Sequence, residues 1–228
     1  MSACDHCGEP NADGARFCSA CGTPLPERLR EGLEVRKTVT ILFCDVVGST
    51  ALGEATDPET TRKVMARYAQ VMAEVIEVHC GTVERFRGDE VMAVFGIPAT
   101  HKDDALRAVR AATEMQRRLG GLNAELRETW GVELACRIGI NTGEVVAGDP
   151  GTGETFVTGD AVNLTKRLEQ AAEPGSILIG TATYPLVKDA VKVGPRERFT
   201  AKGKREPPAR FRLDEVDAGA VEGAGALV

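Results

Sequence analysis

The sequence has no surplus of positive charge and no long run of apolar residues. Its 228 residues carry a formal net charge of −6, so no basic stripe outweighs the acidic side chains, which argues against a nucleic-acid partner. No apolar segment approaches the roughly 20 residues that a membrane-spanning helix needs. The N-terminal segment MSACDHCGEP lacks the apolar core of a signal peptide. These absences predict a cytoplasmic protein without a membrane partner.

A common phosphate-binding signature is also missing. The glycine-rich segment GDPGTGETF, at residues 148–156, lacks the Gly-Lys-Ser/Thr ending of a phosphate-binding loop. It is more typical of a hairpin turn. The hydrophobic fraction of 43% is that of a globular protein, and the length fits one ordinary domain plus a small module.

The small module is predicted by cysteine spacing at the N-terminus. Cys4 and Cys7 form one CxxC pair, and Cys18 and Cys21 form a second pair ten residues later. This is the spacing of a four-thiolate zinc site, in which each pair turns a tight knuckle around one ion. Disulfides are the alternative, which a reducing cytosol opposes. His6 lies inside a knuckle that already has four thiols nearby, so we expect it to be solvated. Residues 1–25 are therefore predicted to be a zinc ribbon.

The remaining chain divides into a linker, one domain and a tail. A charged, proline-interrupted linker is predicted at residues 26–37, and a disordered tail at 217–228. Between them, residues 38–147 read as strand, helix, strand, strand, helix, strand. That order is typical of an α+β, ferredoxin-like βαββαβ core. A hairpin, a further helix and closing strands extend this core to residue 216.

Two helices in this core have clear sequence signals. The first is predicted over residues 57–81, with Asp57 as its cap, Pro58 opening it and Gly81 ending it. The second is a long amphipathic helix over residues 102–131. The three other cysteines have apolar neighbours and are interpreted as small core residues. They are Cys44, Cys80 and Cys136.

Two aspartates stand where a cation site is expected. Asp45 follows the buried strand at residues 38–44, and Asp89 lies in the turn between the second and third core strands. In a βαββαβ sheet the first and third strands are neighbours, so this turn should approach Asp45. Two carboxylates this close would repel unless a cation lies between them, and oxygen ligands suit Mg2+ or Mn2+. Taken alone, Asp45 reads as a helix N-cap, and the pair favours a metal beside a phosphate cradle.

Four segments together resemble a known family. They are TILFCDVVGST, VERFRGDEVMAVFG, RIGINTGEVVAG and VTGDAVNLTKRLEQ. In this order they are similar to the class III adenylyl/guanylyl cyclases, and the resemblance covers roughly residues 37–216. It implies a homodimer of head-to-tail protomers with the active site between them. It also implies conversion of a purine nucleoside triphosphate, with ATP as the expected substrate, to the 3′,5′-cyclic monophosphate and pyrophosphate.

The resemblance implies roles for one half of that site. Asp45 and Asp89 would bind two Mg2+ or Mn2+ ions, with the carbonyl of Val46 assisting. The β- and γ-phosphates would be held by the residues after Asp45. These are Gly48, Ser49 and Thr50.

The partner protomer would supply the other half. Asn163 would orient the ribose, and Arg167 would stabilise charge on the α-phosphate in the transition state. Their alternatives are a capping asparagine and a solvated arginine. Lys202, in a closing basic loop, would contact the terminal phosphates. The reaction needs no protein nucleophile, so the lack of a Ser-His-Asp or Cys-His set is expected.

The residues expected to read the base depart from the family pattern. Arg85 stands where the family has an adenine-reading lysine, and Phe156 where it has an aspartate or threonine. Arg87 replaces a residue that is usually apolar. These departures favour an alternative, a cyclase-like regulatory or nucleotide-sensing dimerisation domain with little turnover. A nucleic-acid-binding ribbon ranks last, because residues 4–22 contain one arginine and one aromatic residue. The unit also resembles the front of a longer multidomain chain.

Overall fold

A computed structural model describes most of the chain. The described residues are 2–4, 6–12, 15, 17–23, 35–148, 156–199 and 207–217. Most of the expected linker, the tip of the expected hairpin, Lys202 and nearly all of the expected tail lie outside these ranges.

The N-terminal module is a small two-stranded unit. β1 (Ser2–Ala3) pairs antiparallel with β2 (Pro10–Asn11). Each CxxC pair is closed by a backbone hydrogen bond, from Gly8 N to the Cys4 carbonyl at 2.8 Å and from Gly22 N to the Cys18 carbonyl at 3.0 Å. Both glycines have positive φ, 76° and 71°, which is the left-handed conformation that these tight knuckles require.

The main domain is built on one sheet, which contains nine strands within the described residues. Along the sheet the order is β10-β11-β8-β6-β3-β5-β4, with β7 pairing with β6 and β9 with β11. The strands are β3 (Val35–Val47), β4 (Thr82–Arg87), β5 (Glu90–Phe95), β6 (Ala135–Gly148), β7 (Phe156–Thr158), β8 (Ile177–Gly180), β9 (Val191–Val193), β10 (Glu197–Arg198) and β11 (Ala209–Val216).

Five helices accompany these strands in the part of the chain that the structure describes. They are α1 (Ser49–Ala55), α2 (Pro58–Val78), α3 (Asp104–Trp130), α4 (Asp160–Gln170) and α5 (Tyr184–Val187). The succession β3-α2-β4-β5-α3-β6 confirms the predicted βαββαβ core; β3 lies beside β5 as expected, and β6 lies on its other side. β3 begins at Val35, so it includes residues 35–37 that the sequence assigned to the linker. None of the described helices is long and apolar enough to cross a membrane.

Both faces of the sheet are covered, and successive side chains of β3 point to opposite faces. Leu42 and Cys44 pack into the larger core with α2 and α3. Ile41 and Phe43 point the other way, into a second core that includes residues of α4. β3 is therefore a central strand buried on both faces, as its nearly continuous apolar sequence predicts.

The predicted start of the first long helix is confirmed, and its end differs. The Asp57 carboxylate accepts hydrogen bonds from the backbone N–H groups of Glu59 and Thr60, at 3.0 and 2.9 Å. The helix ends at Val78, and Cys80 takes the left-handed conformation with φ 59°. Gly81 serves packing, since a Cβ there would lie 2.7 Å from the Phe95 ring.

The interpretation of Cys80 as a core residue is therefore wrong. Its side chain is exposed just after the end of α2. Cys44 and Cys136 are fully buried, which confirms the interpretation for those two.

Candidate active site

The two aspartates expected to share a cation lie near the same edge of the central sheet, Asp45 within β3 and Asp89 in the turn before β5. Asp45 is opposite Glu90 of β5 and opposite Arg137 of β6. Asp89 directly precedes Glu90, in the turn that joins β4 to β5. This register brings the turn beside Asp45, as the topology predicted. β3 continues two residues past Asp45, so this carboxylate lies within the strand and is not at its end.

Asp45 is paired with an arginine that sequence reasoning missed. Arg137 Nη2 donates to Asp45 Oδ2 at 2.9 Å, and the Asp45 side chain is 15% exposed. This pairing answers why a carboxylate is tolerated at this depth, since an unpaired one would be costly. The available signal was a charged residue in the apolar segment ACRIGI. Its pairing with Asp45 depends on strand register, which local sequence does not determine.

Helix α4 adds two further charged groups to this end of the sheet. Glu169 is fully buried, and its Oε1 lies 2.6 Å from Arg137 Nε. Its Oε2 lies 2.6 Å from Lys166 Nζ, and Lys166 also contacts Glu90. Asp45, Arg137, Glu169, Lys166 and Glu90 thus form a continuous chain of alternating charges, which we call the edge cluster.

The pKa directions in the edge cluster follow from burial and pairing. Burial raises the pKa of the Glu169 carboxyl, against the opposing effect of Lys166. Burial disfavours the charge of Arg137, but Asp45 and Glu169 outweigh it and raise the guanidinium pKa. Lys166 behaves likewise, with Glu169 and Glu90 raising its pKa against burial. Both cations therefore stay charged beside the carboxylates.

Helix α4 is held close to the sheet by a glycine. A Cβ on Gly139 of β6 would lie 2.3 Å from the backbone nitrogen of Glu169 and 2.7 Å from the Thr165 carbonyl. Only a residue without a side chain allows this approach. Gly139 thereby sets the depth at which α4 presents its polar residues.

The expected transition-state residues lie on a different side of α4 from the edge cluster. At about 100° per residue, Asn163 and Arg167 lie about 120° and 160° around the helix from Glu169. Asn163 is exposed and Arg167 half-buried. Within the described residues, neither side chain makes a hydrogen bond or ion pair. The structure thus does not bring this pair to Asp45 of the same protomer.

The segment after Asp45 has the backbone expected of a turn into a helix. Gly48 is in the left-handed conformation, with φ 77° and ψ 18°, and occupies the N-cap of α1, which begins at Ser49. The side chain of Thr50 lies outside the described structure. Asp45 precedes this cap by three residues, so its interpretation as an N-cap is wrong.

The residues expected to read the base lie on β4 and β7, two strands that do not pair with each other. β4 has a bulge at Glu84, after which Arg85 pairs with Met92 of β5. The backbone of Phe156 pairs with Gly148 in β7, while its side chain lies outside the description. The N–H of Val157 donates to Glu84 Oε1 at 3.3 Å, which ties β7 to β4. Arg87 is exposed, opposite Glu90.

The four N-terminal cysteines converge as a zinc site requires. Their sulfur atoms all lie within 4.8 Å of one another. Cys4 Sγ is 3.7 Å from Cys21 Sγ, and Cys7 Sγ is 3.5 Å from Cys18 Sγ. Tetrahedral zinc with Zn–S bonds of about 2.3 Å places sulfurs about 3.8 Å apart. The separations are too long for disulfides, which excludes that alternative.

Comparison with known proteins identifies both modules. The model of the adenylate and guanylate cyclase catalytic domain matches residues 33–214, and a zinc-ribbon model matches residues 4–25. The fold is that of a class III nucleotide cyclase catalytic domain. The chain belongs to the adenylate and guanylate cyclase catalytic-domain family.

Similar proteins include cyclases of both nucleotide types. The guanylyl cyclase Cya2 is 36% identical with a TM-score of 0.79, over 82% of this chain and 96% of that one. The adenylyl cyclase CyaB from P. aeruginosa is 32% identical with a TM-score of 0.78, over 82% and 98%. Adenylate cyclase 1 of Rhizobium meliloti is 32% identical over 78% of this chain and 29% of its own length. The chain thus spans well under half of that curated relative.

Proposed function

We propose that this protein is a class III nucleotide cyclase. It converts a purine nucleoside triphosphate, with ATP as the main substrate, to the 3′,5′-cyclic monophosphate and pyrophosphate. The product gives the chain a role in cyclic-nucleotide signal transduction. The observation that carries the proposal is the meeting of Asp45 and the Asp89 turn at one end of the central strands, in a chain of this family.

The residues at this end of the sheet fit a divalent metal site. Asp45 and Asp89 offer carboxylate oxygens, and the Val46 carbonyl is one residue further along β3; such donors suit Mg2+ or Mn2+. The attachment of Arg137 to Asp45 supports this, because the carboxylate already attracts a cation. When bound, two such ions would lower the pKa of the ribose 3′-hydroxyl and neutralise charge on the phosphates.

The chain's own residues bind and orient the nucleotide. Gly48, Ser49 and Thr50 hold the β- and γ-phosphates through the turn that opens α1, and Lys202 adds a positive charge there. Asn163 orients the ribose so that its 3′-hydroxyl faces the α-phosphorus. Arg167 stabilises the charge that develops on the α-phosphate as the hydroxyl attacks and pyrophosphate leaves.

We propose that two protomers complete each site. Asn163 and Arg167 point away from the edge cluster of their own protomer, and neither has a side-chain partner among the described residues. A head-to-tail homodimer brings this pair to Asp45 and Asp89 of the second copy. Each protomer then contributes Asp45 and Asp89 to one site of the dimer and Asn163 and Arg167 to the other.

The ribbon has a structural role in this proposal. Four thiolates on one zinc leave no open position for a water or substrate. Reduced thiols and nucleoside triphosphates are both typical of the cytoplasm, where we place the protein.

The test is an assay of the full chain with Mn2+ and either ATP or GTP. The wild-type chain should form cyclic nucleotide and pyrophosphate in equal amounts. Asp45→Asn should lower turnover about a hundredfold or more, since metal binding is worth several kcal/mol in the transition state. Asp214→Asn is the matched control, because Asp214 is exposed on β11 and pairs with the exposed Arg212. Turnover that survives Asp45→Asn would refute the proposal.

A second function is favoured by Arg85 and Phe156, which depart from the family's base-reading pair. It is nucleotide sensing by a dimer with little turnover. Calorimetry with ATP or GTP and Mn2+ separates the two, because a sensor binds the nucleotide without releasing pyrophosphate.

A further inference from the structure

Glu169 is a buried charge that the proposed reaction does not use. Its side chain is completely inaccessible to solvent. It lies on α4 two residues after Arg167, but it points to the edge cluster of its own protomer. A buried carboxylate without cationic partners would be strongly destabilising, so its two partners must matter for how this end of the sheet is organised.

Each cation of the edge cluster is shared between two carboxylates. Arg137 lies between Asp45 at 2.9 Å and Glu169 at 2.6 Å. Lys166 lies between Glu90 and Glu169, the latter at 2.6 Å. Glu169 is the member common to both cations. Without its charge, Arg137 would have Asp45 as its anionic partner in the cluster, and Lys166 would have Glu90.

We propose that Glu169 and Lys166 are positioning residues that together set how tightly Arg137 binds Asp45. They thereby set how readily a divalent cation replaces Arg137 at this carboxylate. This inference rests on the proposed function, in which Asp45 and Asp89 hold divalent cations. Glu169 attracts the Arg137 guanidinium and so weakens its ion pair with Asp45. An incoming divalent cation then displaces a guanidinium that is shared between two carboxylates, which costs less than displacing one bound to Asp45 alone. Lys166 limits this effect, because it occupies the second oxygen of Glu169 and balances its charge.

The proposal predicts opposite effects for two substitutions. Glu169→Gln keeps the shape of the side chain and removes its charge, so Arg137 and Lys166 bind Asp45 and Glu90 more firmly. Affinity for Mn2+ should fall about tenfold or more, given the strength of hydrogen bonds to charged groups. In Lys166→Met, Arg137 is the one remaining cationic partner of Glu169 in the edge cluster, so Glu169 attracts it more strongly away from Asp45. This variant should therefore bind Mn2+ more tightly. In the double variant, Lys166→Met should add little to the effect of Glu169→Gln, because Lys166 acts through the charge of Glu169.

The measurement is Mn2+ binding to the full chain without nucleotide, followed by the EPR signal of free Mn2+. Asp45→Asn should abolish the site and thereby identifies it. Lys192→Met with Glu215→Gln is the matched control, because this ion pair is exposed on β9 and β11; it should leave Mn2+ affinity unchanged. Circular dichroism and thermal melting show whether each variant is folded.

The outcomes separate the inference from the proposed function. A wild-type chain without an Asp45-dependent Mn2+ site would overturn both. A normal wild-type site that is unaffected in folded Glu169→Gln would overturn this inference alone. Equal tightening by Lys166→Met in the wild-type and Glu169→Gln backgrounds would also overturn it, since Lys166 would then not act through Glu169. If Glu169→Gln does not fold, tighter binding in Lys166→Met alone supports the inference and unchanged or weaker binding contradicts it.

Discussion

At the scale of single residues, the stability of the edge cluster depends on how its two cations are shared among its three carboxylates. Asp45 is tolerated in a central strand because Arg137 lies opposite it on β6 and donates to it at 2.9 Å. Arg137 in turn remains charged although partly buried, because two carboxylates flank it. In the proposed site, a divalent cation would replace a cationic partner that these carboxylates already have.

The first residue-scale prediction concerns the choice of base. Arg85 offers only donors, which fit the two acceptors of guanine, and a phenylalanine at 156 cannot accept from the adenine amino group. The wild-type ATP-over-GTP ratio should therefore be modest. Arg85→Lys with Phe156→Asp should raise it roughly ten- to hundredfold, the worth of about one hydrogen bond to a buried partner. Initial rates with each nucleotide, as kcat/KM, measure the ratio.

The control for base choice is Arg196→Lys, an exchange of the same type at an exposed position. It should leave the ratio unchanged. A wild-type chain that already prefers ATP by many thousandfold would mean that positions 85 and 156 do not read the base.

At the scale of elements, sequence patterns predicted most of the fold. The period of the apolar residues and the cap at Asp57 located α2, and the sequence of strands and helices gave the neighbours of β3. The register of β3 with β5 places Asp45 opposite Glu90, the residue after Asp89, which agrees with the expectation that the two aspartates lie close together. These predictions succeeded because they depend on local propensity and on the few ways in which a βαββαβ chain can form a sheet.

The missed features all depend on contacts between distant segments. Arg137 is 92 residues from Asp45, and Lys166 is 76 residues from Glu90. Their pairing requires both the strand register and the close approach of α4 at Gly139, neither of which local sequence determines. Cys80 was misplaced for a related reason, because its exposure depends on where α2 ends, at Val78, and not on its apolar neighbours in the sequence.

The element-scale prediction concerns the N-terminal ribbon. Protein purified without chelator should contain one zinc per chain, bound by four thiolates. Deleting residues 1–25 should leave turnover largely unchanged, because the zinc has no open coordination position and the edge cluster lies in the other module. Elemental analysis and a comparison of kcat test both statements. Absence of zinc would refute the site, and loss of turnover in a folded truncated chain would refute its purely structural role.

At the scale of the whole molecule, the proposed reaction requires two copies of the chain. In this proposal each protomer would carry a metal half, around Asp45 of β3 and the turn before β5, and a transition-state half at Asn163 and Arg167 of α4. The edge cluster contacts α4 through Glu169 and Lys166, so the two halves of one protomer are packed together although they serve different sites. A monomer would therefore contain every required residue and still lack a complete active site.

Complementation between two inactive variants tests this central claim most directly. Asp45→Ala and Arg167→Ala should each be inactive alone, because both sites of either homodimer lack one half. Mixed in equal amounts and allowed to exchange, half of the dimers are mixed and each has one intact site, so about a quarter of wild-type turnover should return. If both variants are folded and exchange subunits but no turnover returns, the shared site is contradicted.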